Sequence, residues 1–133
     1  MTRELAESRQ YLITSEYESV FLNFKDGSPN KVLIGDFYGD PNSAIITENE
    51  EYGIIIGAGI IIYALTQPFK EYSYKKKTQN QYKEYFREKE NMKWLKAVKQ
   101  KNSNLIIFIT EDEEILEYNL GKETFELPNV GAE

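Results

Sequence analysis

The sequence predicts a mainly β (α+β) domain, a curled antiparallel sheet or partial barrel of six to eight strands with one short helix. Three observations predict it. Residues 17–24 alternate, with Val20, Leu22 and Phe24 on one side and Phe21 and Asn23 on the other, which is strand periodicity. Clusters of Gly, Pro, Asn and Asp, KDGSPN at 25–30 and GDPN at 39–42, interrupt the apolar runs at short intervals. The run YGIIIGAGIIIYAL at 52–65 places two isoleucine triplets around Gly57, Ala58 and Gly59. β-Branched residues flanking a glycine-containing three-residue turn read as a buried hairpin.

The remaining elements follow in chain order. Residues 31–38 resume as strand after the first turn, and residues 43–47 form a short apolar strand. Residues 48–51 are an acidic loop leading into the isoleucine hairpin. That hairpin holds fourteen residues without a charge, which is short of the ~20 that a spanning helix needs, so no membrane role is read into it. After Pro68 the composition changes. Thr78 and Gln81 have the spacing of a capping box, and Tyr82, Tyr85 and Phe86 fall at i, i+3 and i+4, so a helix is expected over 79–90. Residues 92–99 suit either a helix or a strand and are read as strand. Residues 105–109 and 115–120 are strands, the second with Leu116, Tyr118 and Leu120 inward, joined by an acidic hairpin loop at 110–114. The steady spacing of short strands resembles propeller blades, but no internal repeat is evident and one chain of this length cannot close a propeller.

The 133 residues fit a single domain, 1–133, large enough to bury a core without disulfides. Charge is sorted along it. Residues 69–101 hold 11 of the 16 Lys and Arg and 4 of the 22 Asp and Glu, a net +7 in a basic, aromatic-rich insertion. The remainder carries 5 minus 18, or −13. Such sorting points to docking on a charged partner, and the acidic excess favours a basic one over nucleic acid.

Absences narrow the chemistry further. The chain has neither Cys nor His, which excludes histidine-based triads, thiolate catalysis and Cys/His zinc sites. Residues 1–11 include Glu4, Glu7 and Arg9 with no apolar run, so no signal peptide is expected and the default address is cytoplasmic.

The candidate sites reduce to two. Asp36 and Asp40 in GDFYGDP could share a cation or divide acid and base roles, although the calcium-loop spacing is absent and both residues also suit a strand end and a turn. Glu48, Glu50 and Glu51 in one loop, and Glu111, Asp112, Glu113 and Glu114 in another, could gather at one end of a sheet and present a phosphate-like surface. Solvated turns are the plainer explanation of the same residues. Tyr38 and Tyr52 are the aromatic residues best placed to anchor a partner there. Gly53, Gly57 and Gly59 lack the following helix that a nucleotide loop requires.

The blocks GDFYGDP at 35–41, YGIIIGAGIIIYAL at 52–65 and QPF at 67–69 together resemble small bacterial immunity-type proteins encoded beside polymorphic or contact-dependent toxins. The resemblance implies a cytoplasmic, non-enzymatic inhibitor without cofactor that occludes the active site of a basic toxin domain. The alternative is a small β-barrel ligand-binding protein or carboxylate-dependent enzyme using Asp36 and Asp40. Exposed strand edges leave self-association into a homo-oligomer open as well.

Overall fold

The computed structural model describes residues 2–74 and 80–126. The chain folds as three consecutive four-stranded antiparallel meanders. The first comprises β1 (Thr2–Glu7), β2 (Tyr11–Glu16), β3 (Ser19–Phe24) and β4 (Val32–Asp36). The second comprises β5 (Ser43–Ile46), β6 (Tyr52–Gly57), β7 (Gly59–Ala64) and β8 (Tyr82–Tyr85). The third comprises β9 (Leu95–Gln100), β10 (Leu105–Thr110), β11 (Ile115–Asn119) and β12 (Thr124–Glu126). No helix occurs among the described residues, so none is long and apolar enough to cross a membrane.

The sheets pack face to face with the second in the middle. One core joins it to the first sheet through Ile13, Val20, Leu22 and Ile34 against Ile55, Ile61 and Tyr63. The other joins it to the third sheet through Ile54, Ile56, Ile60 and Ile62 against Leu95, Ile106, Phe108 and Tyr118. The isoleucine triplets follow directly from this arrangement. Register sets Ile54 against Ile62, Ile55 against Ile61 and Ile56 against Ile60. Alternate residues therefore serve opposite cores, and neither face of the hairpin can be polar.

The same double burial explains two departures from expectation. The apolar strands need no curling to hide themselves, so the described residues stack twelve strands as three sheets and form no six-to-eight-stranded barrel. Residues 82–85, expected within a helix, pair as edge strand β8 with β7, Tyr82 against Tyr63 and Tyr85 against Ile60. A spacing of three sends Tyr82 to one core and Tyr85 to the other, which only a doubly covered sheet rewards. Gln81 does not cap a helix. Its side-chain amide donates to the carbonyls of Ala64 at 2.7 Å and Thr66 at 3.0 Å and accepts from the Lys70 amide. Its proposed partner Thr78 lies outside the described residues, as do Lys75, Lys76 and Lys77.

Two of the strand expectations hold. Residues 92–99 are largely strand, as β9, and Leu116, Tyr118 and Leu120 are buried. The stretch 69–101 contributes β8 to the middle sheet and β9 to the third.

Candidate functional site

The turns collect at two ends of the stack. One end carries the turns at 8–10, 25–31, 47–51 and 101–104. The opposite end carries those at 17–18, 37–42, 57–59, 86–94 and 111–114. The two acidic loops expected to gather therefore lie at opposite ends. The 47–51 loop reaches β9 at its last residue, through the Glu48 amide donating to Gln100 Oε1 at 2.9 Å. The 111–114 loop meets β9 at its start, through the Glu111 amide donating to the Trp94 carbonyl at 2.8 Å.

At the first end the acidic loop is largely internal mortar. Glu50 stands at φ 59° and its carboxylate accepts from the Ser8 hydroxyl, the Gln10 amide at 2.8 Å and the Gln10 side chain at 2.8 Å. These donors hold the Glu50 carboxyl down to about 2, and the turn of the first sheet is thereby tied to that of the second. The Glu48 amide ties the second sheet to the third. Glu51 is exposed, its amide accepted by Thr47 Oγ1 at 3.2 Å. Tyr52 is not an exposed anchor. It is half-buried against the second core, where burial pushes its hydroxyl pKa up.

The opposite end is different in kind. Tyr38 is 73% exposed and Tyr17 is 74% exposed, and the Tyr38 ring lies 6.3 Å from that of the half-exposed Trp94. The display is held from behind. Glu18 accepts the Phe37 amide on its carbonyl at 2.9 Å and the Gly39 amide on its carboxylate at 2.9 Å, which fixes the turn that presents Tyr38. Gly39 takes φ +79°, a left-handed conformation that glycine adopts without strain.

Acidic groups rim these rings. Glu113 pairs with Lys96, and Glu114 pairs with Lys93 at 3.0 Å. Glu111 and Asp112 are exposed, and among the described residues neither has an ion-pair partner. Asp40 is exposed in the 37–42 turn. Asp36 ends β4, and its pKa is raised by burial first and then by the neighbouring Glu18, with Arg87 opposing. The carboxylate that perturbs Asp36 is therefore Glu18 rather than Asp40. Among the described residues no group of three or more acidic side chains is arranged to hold a metal.

Behind the rim, Arg87 fills the seam between the first two sheets. Its Nε donates to Glu84 Oε1 at 2.9 Å, with both side chains largely buried at 13% and 14% exposure. One terminal nitrogen donates to the Asp36 carbonyl and to Tyr72 Oη at 3.3 Å, the other to the Ala58 carbonyl at 3.4 Å. The guanidinium also sits 4.5 Å over the Phe37 ring. Tyr72 in turn donates to Glu84 Oε1 at 2.8 Å. The stem of Arg87 crosses Gly59, where an added Cβ would stand 2.5 Å from Arg87 Cγ. A groove of about 270 Å3 opens here between Asp36, Tyr38, Tyr72, Tyr74 and Arg87.

Glu18 and Arg87 were invisible as site residues in the sequence. Glu18 acts on Asp36 and Phe37, 18 and 19 positions away, and Arg87 reaches Tyr72, Ala58 and Asp36, 15 to 51 positions away; its pair with Glu84 is three positions apart but falls in a segment expected to be a helix. Comparison with family models, with curated proteins and with solved structures finds no match.

Proposed function

We propose that this chain is a non-enzymatic binding protein that captures a basic protein domain at the end carrying Tyr17, Tyr38 and Trp94. The most economical partner is a bacterial toxin domain neutralised by occlusion of its active site, as the resemblance to immunity-type proteins implies. The observation that carries the reading is the coincidence, at one end, of exposed aromatic rings with two exposed carboxylates, Glu111 and Asp112, that have no ion-pair partner among the described residues. Large rings on a pre-set turn supply contact area at little entropic cost, and unpaired carboxylates steer a cationic surface toward them. Glu50, already saturated by Ser8 and Gln10, belongs to the scaffold under this reading.

The test is affinity capture from native lysate at low and high salt, followed by co-expression of the captured protein. One stoichiometric basic partner, weakened by salt and whose toxicity the wild-type chain suppresses, supports the proposal. Tyr38→Ala with Trp94→Ala should weaken capture by about thirtyfold or more, the scale of an interface hot spot. Equal loss on reversing Glu48 and Glu51, at the other end, would place the interface elsewhere and sink it.

A further inference from the structure

Three stacked sheets leave two outer faces that no other sheet covers among the described residues, and both carry apolar side chains that pack into neither core. On the third sheet Ala97, Ile109 and Ile115 form a row across β9, β10 and β11, with the buried Ile107 beside them; Ile115 is 49% exposed and Ala97 and Ile109 are half-buried. On the first sheet Phe21 stands in register between Thr14 and Leu33 across β2, β3 and β4, with Leu12 beside it; Thr14 is only 6% exposed and Leu33 also packs against the first core. Phe21 and Leu12 pack into neither core, and nor do Ala97, Ile107, Ile109 and Ile115.

The stack also has a direction. Each meander begins at an inner strand, and β5 packs against both β1 and β9. That is the order of consecutive propeller blades, whose first strands surround the axis. We infer that a second copy of this chain completes the ring. The third sheet of each copy covers the first sheet of the other, and six sheets close about a two-fold axis.

Area and charge both support closure. Four strands ~4.8 Å apart and five residues long at ~3.4 Å present a face of roughly 330 Å2. Closure buries four such faces, on the order of 1,300 Å2, within the range of specific interfaces, whereas one open end-to-end contact buries about half that, the scale of adventitious packing. Closure also sets β9 of one copy beside β1 of the other. Lys99 projects from the outer face of β9, and Glu4 from that of β1, where it lies opposite Thr14. Among the described residues neither has an ion-pair partner within its own chain. Lys31, now 4.1 Å over the Phe21 ring, swings to the rim on docking. Because the two-fold axis is the ring axis, both Tyr38–Trp94 ends emerge on one side. This inference does not depend on what those ends bind.

Sedimentation equilibrium of the purified chain over a wide concentration range tests it, and the expected mass is that of a dimer. Ile115→Lys and Phe21→Lys, on opposite faces, should each weaken dimerisation by about thirtyfold or more with circular dichroism unchanged. Glu4→Lys and Lys99→Glu should each weaken it, and their combination should restore it. A monomeric wild type overturns the inference. So does a dimer lost with Ile115→Lys but indifferent to Phe21→Lys, which would mean that third sheets pair with each other. A mass that climbs without limit as concentration rises would mean an open chain, and it overturns ring closure too.

Discussion

Replacing Arg87 with methionine tests whether the seam between the first two sheets is held by charge. Arg87 and Glu84 are 13% and 14% exposed at 2.9 Å, nearer the buried limit, where breaking a pair costs ~3–5 kcal/mol, than the exposed limit of ~0–1. Discounted for that residual exposure, loss of the pair costs about 2–3 kcal/mol, and loss of the cation over Phe37 adds ~0.5–1. Methionine keeps a stem over Gly59, so the cavity term is small. A loss of about 3 kcal/mol is therefore expected, or a melting temperature lower by roughly 9–15 °C for a chain of this length. The diagnostic variant is the double one. Glu84→Gln on the methionine background removes the stranded carboxylate while leaving an oxygen for the Tyr72 hydroxyl, and should recover about 1–2 kcal/mol. Urea titrations of the wild type, both single variants and the double variant read this coupling. A single-variant loss under ~1 kcal/mol, or strictly additive losses, would refute the assignment of Arg87 as the charge that holds the seam.

Two further outcomes follow from burial and titration. Ile61→Ala, wholly buried in the first core, should cost ~3–4 kcal/mol by urea titration, while Ile115→Ala on the outer face should cost the isolated monomer less than ~1. Glu50 has a folded pKa of about 2, below its ordinary 4.5, so its contribution is fully present above the unfolded value and disappears as pH falls through the folded one. Wild-type stability should thus fall between about pH 5 and pH 2 more steeply than that of Glu50→Gln, and coincident slopes would remove Glu50 from the tie between the first two sheets.

How much of this was legible depended on where the deciding contact lay. The isoleucine hairpin could be read because Gly57, Ala58 and Gly59 mark its turn locally. Strand β3 could be read because one face is buried and the other is not. The 82–85 segment was misread because a spacing of three and four satisfies a one-sided helix and a two-sided strand alike, and nothing local says that its sheet is covered twice. Strands β1 and β2 went unassigned because their charges at Glu4, Glu7 and Glu16 obscure the alternation. At the candidate site, Glu50 and Glu111 are both acidic residues in turns and look alike in sequence. Only long-range packing brings Ser8 and Gln10 to the first and leaves the second open. Tyr38 and Tyr52 differ in the same way, one on a turn latched by Glu18 and the other at the mouth of a core.

The doubly covered middle sheet also carries a liability during synthesis. Until both neighbours dock, the β6–β7 hairpin is an uncharged, isoleucine-rich ribbon with two bare faces, the composition that favours intermolecular cross-β stacking. The first sheet leaves the ribosome ahead of it and can shield one face at once, while the other waits for β9 to β11. Charges flank the run, Glu50 and Glu51 immediately before it and Lys70 and Glu71 beyond the uncharged TQPF segment that follows it, where they act as gatekeepers against such stacking. A chain cut short before β9 should therefore precipitate, and the full chain should refold best when dilute.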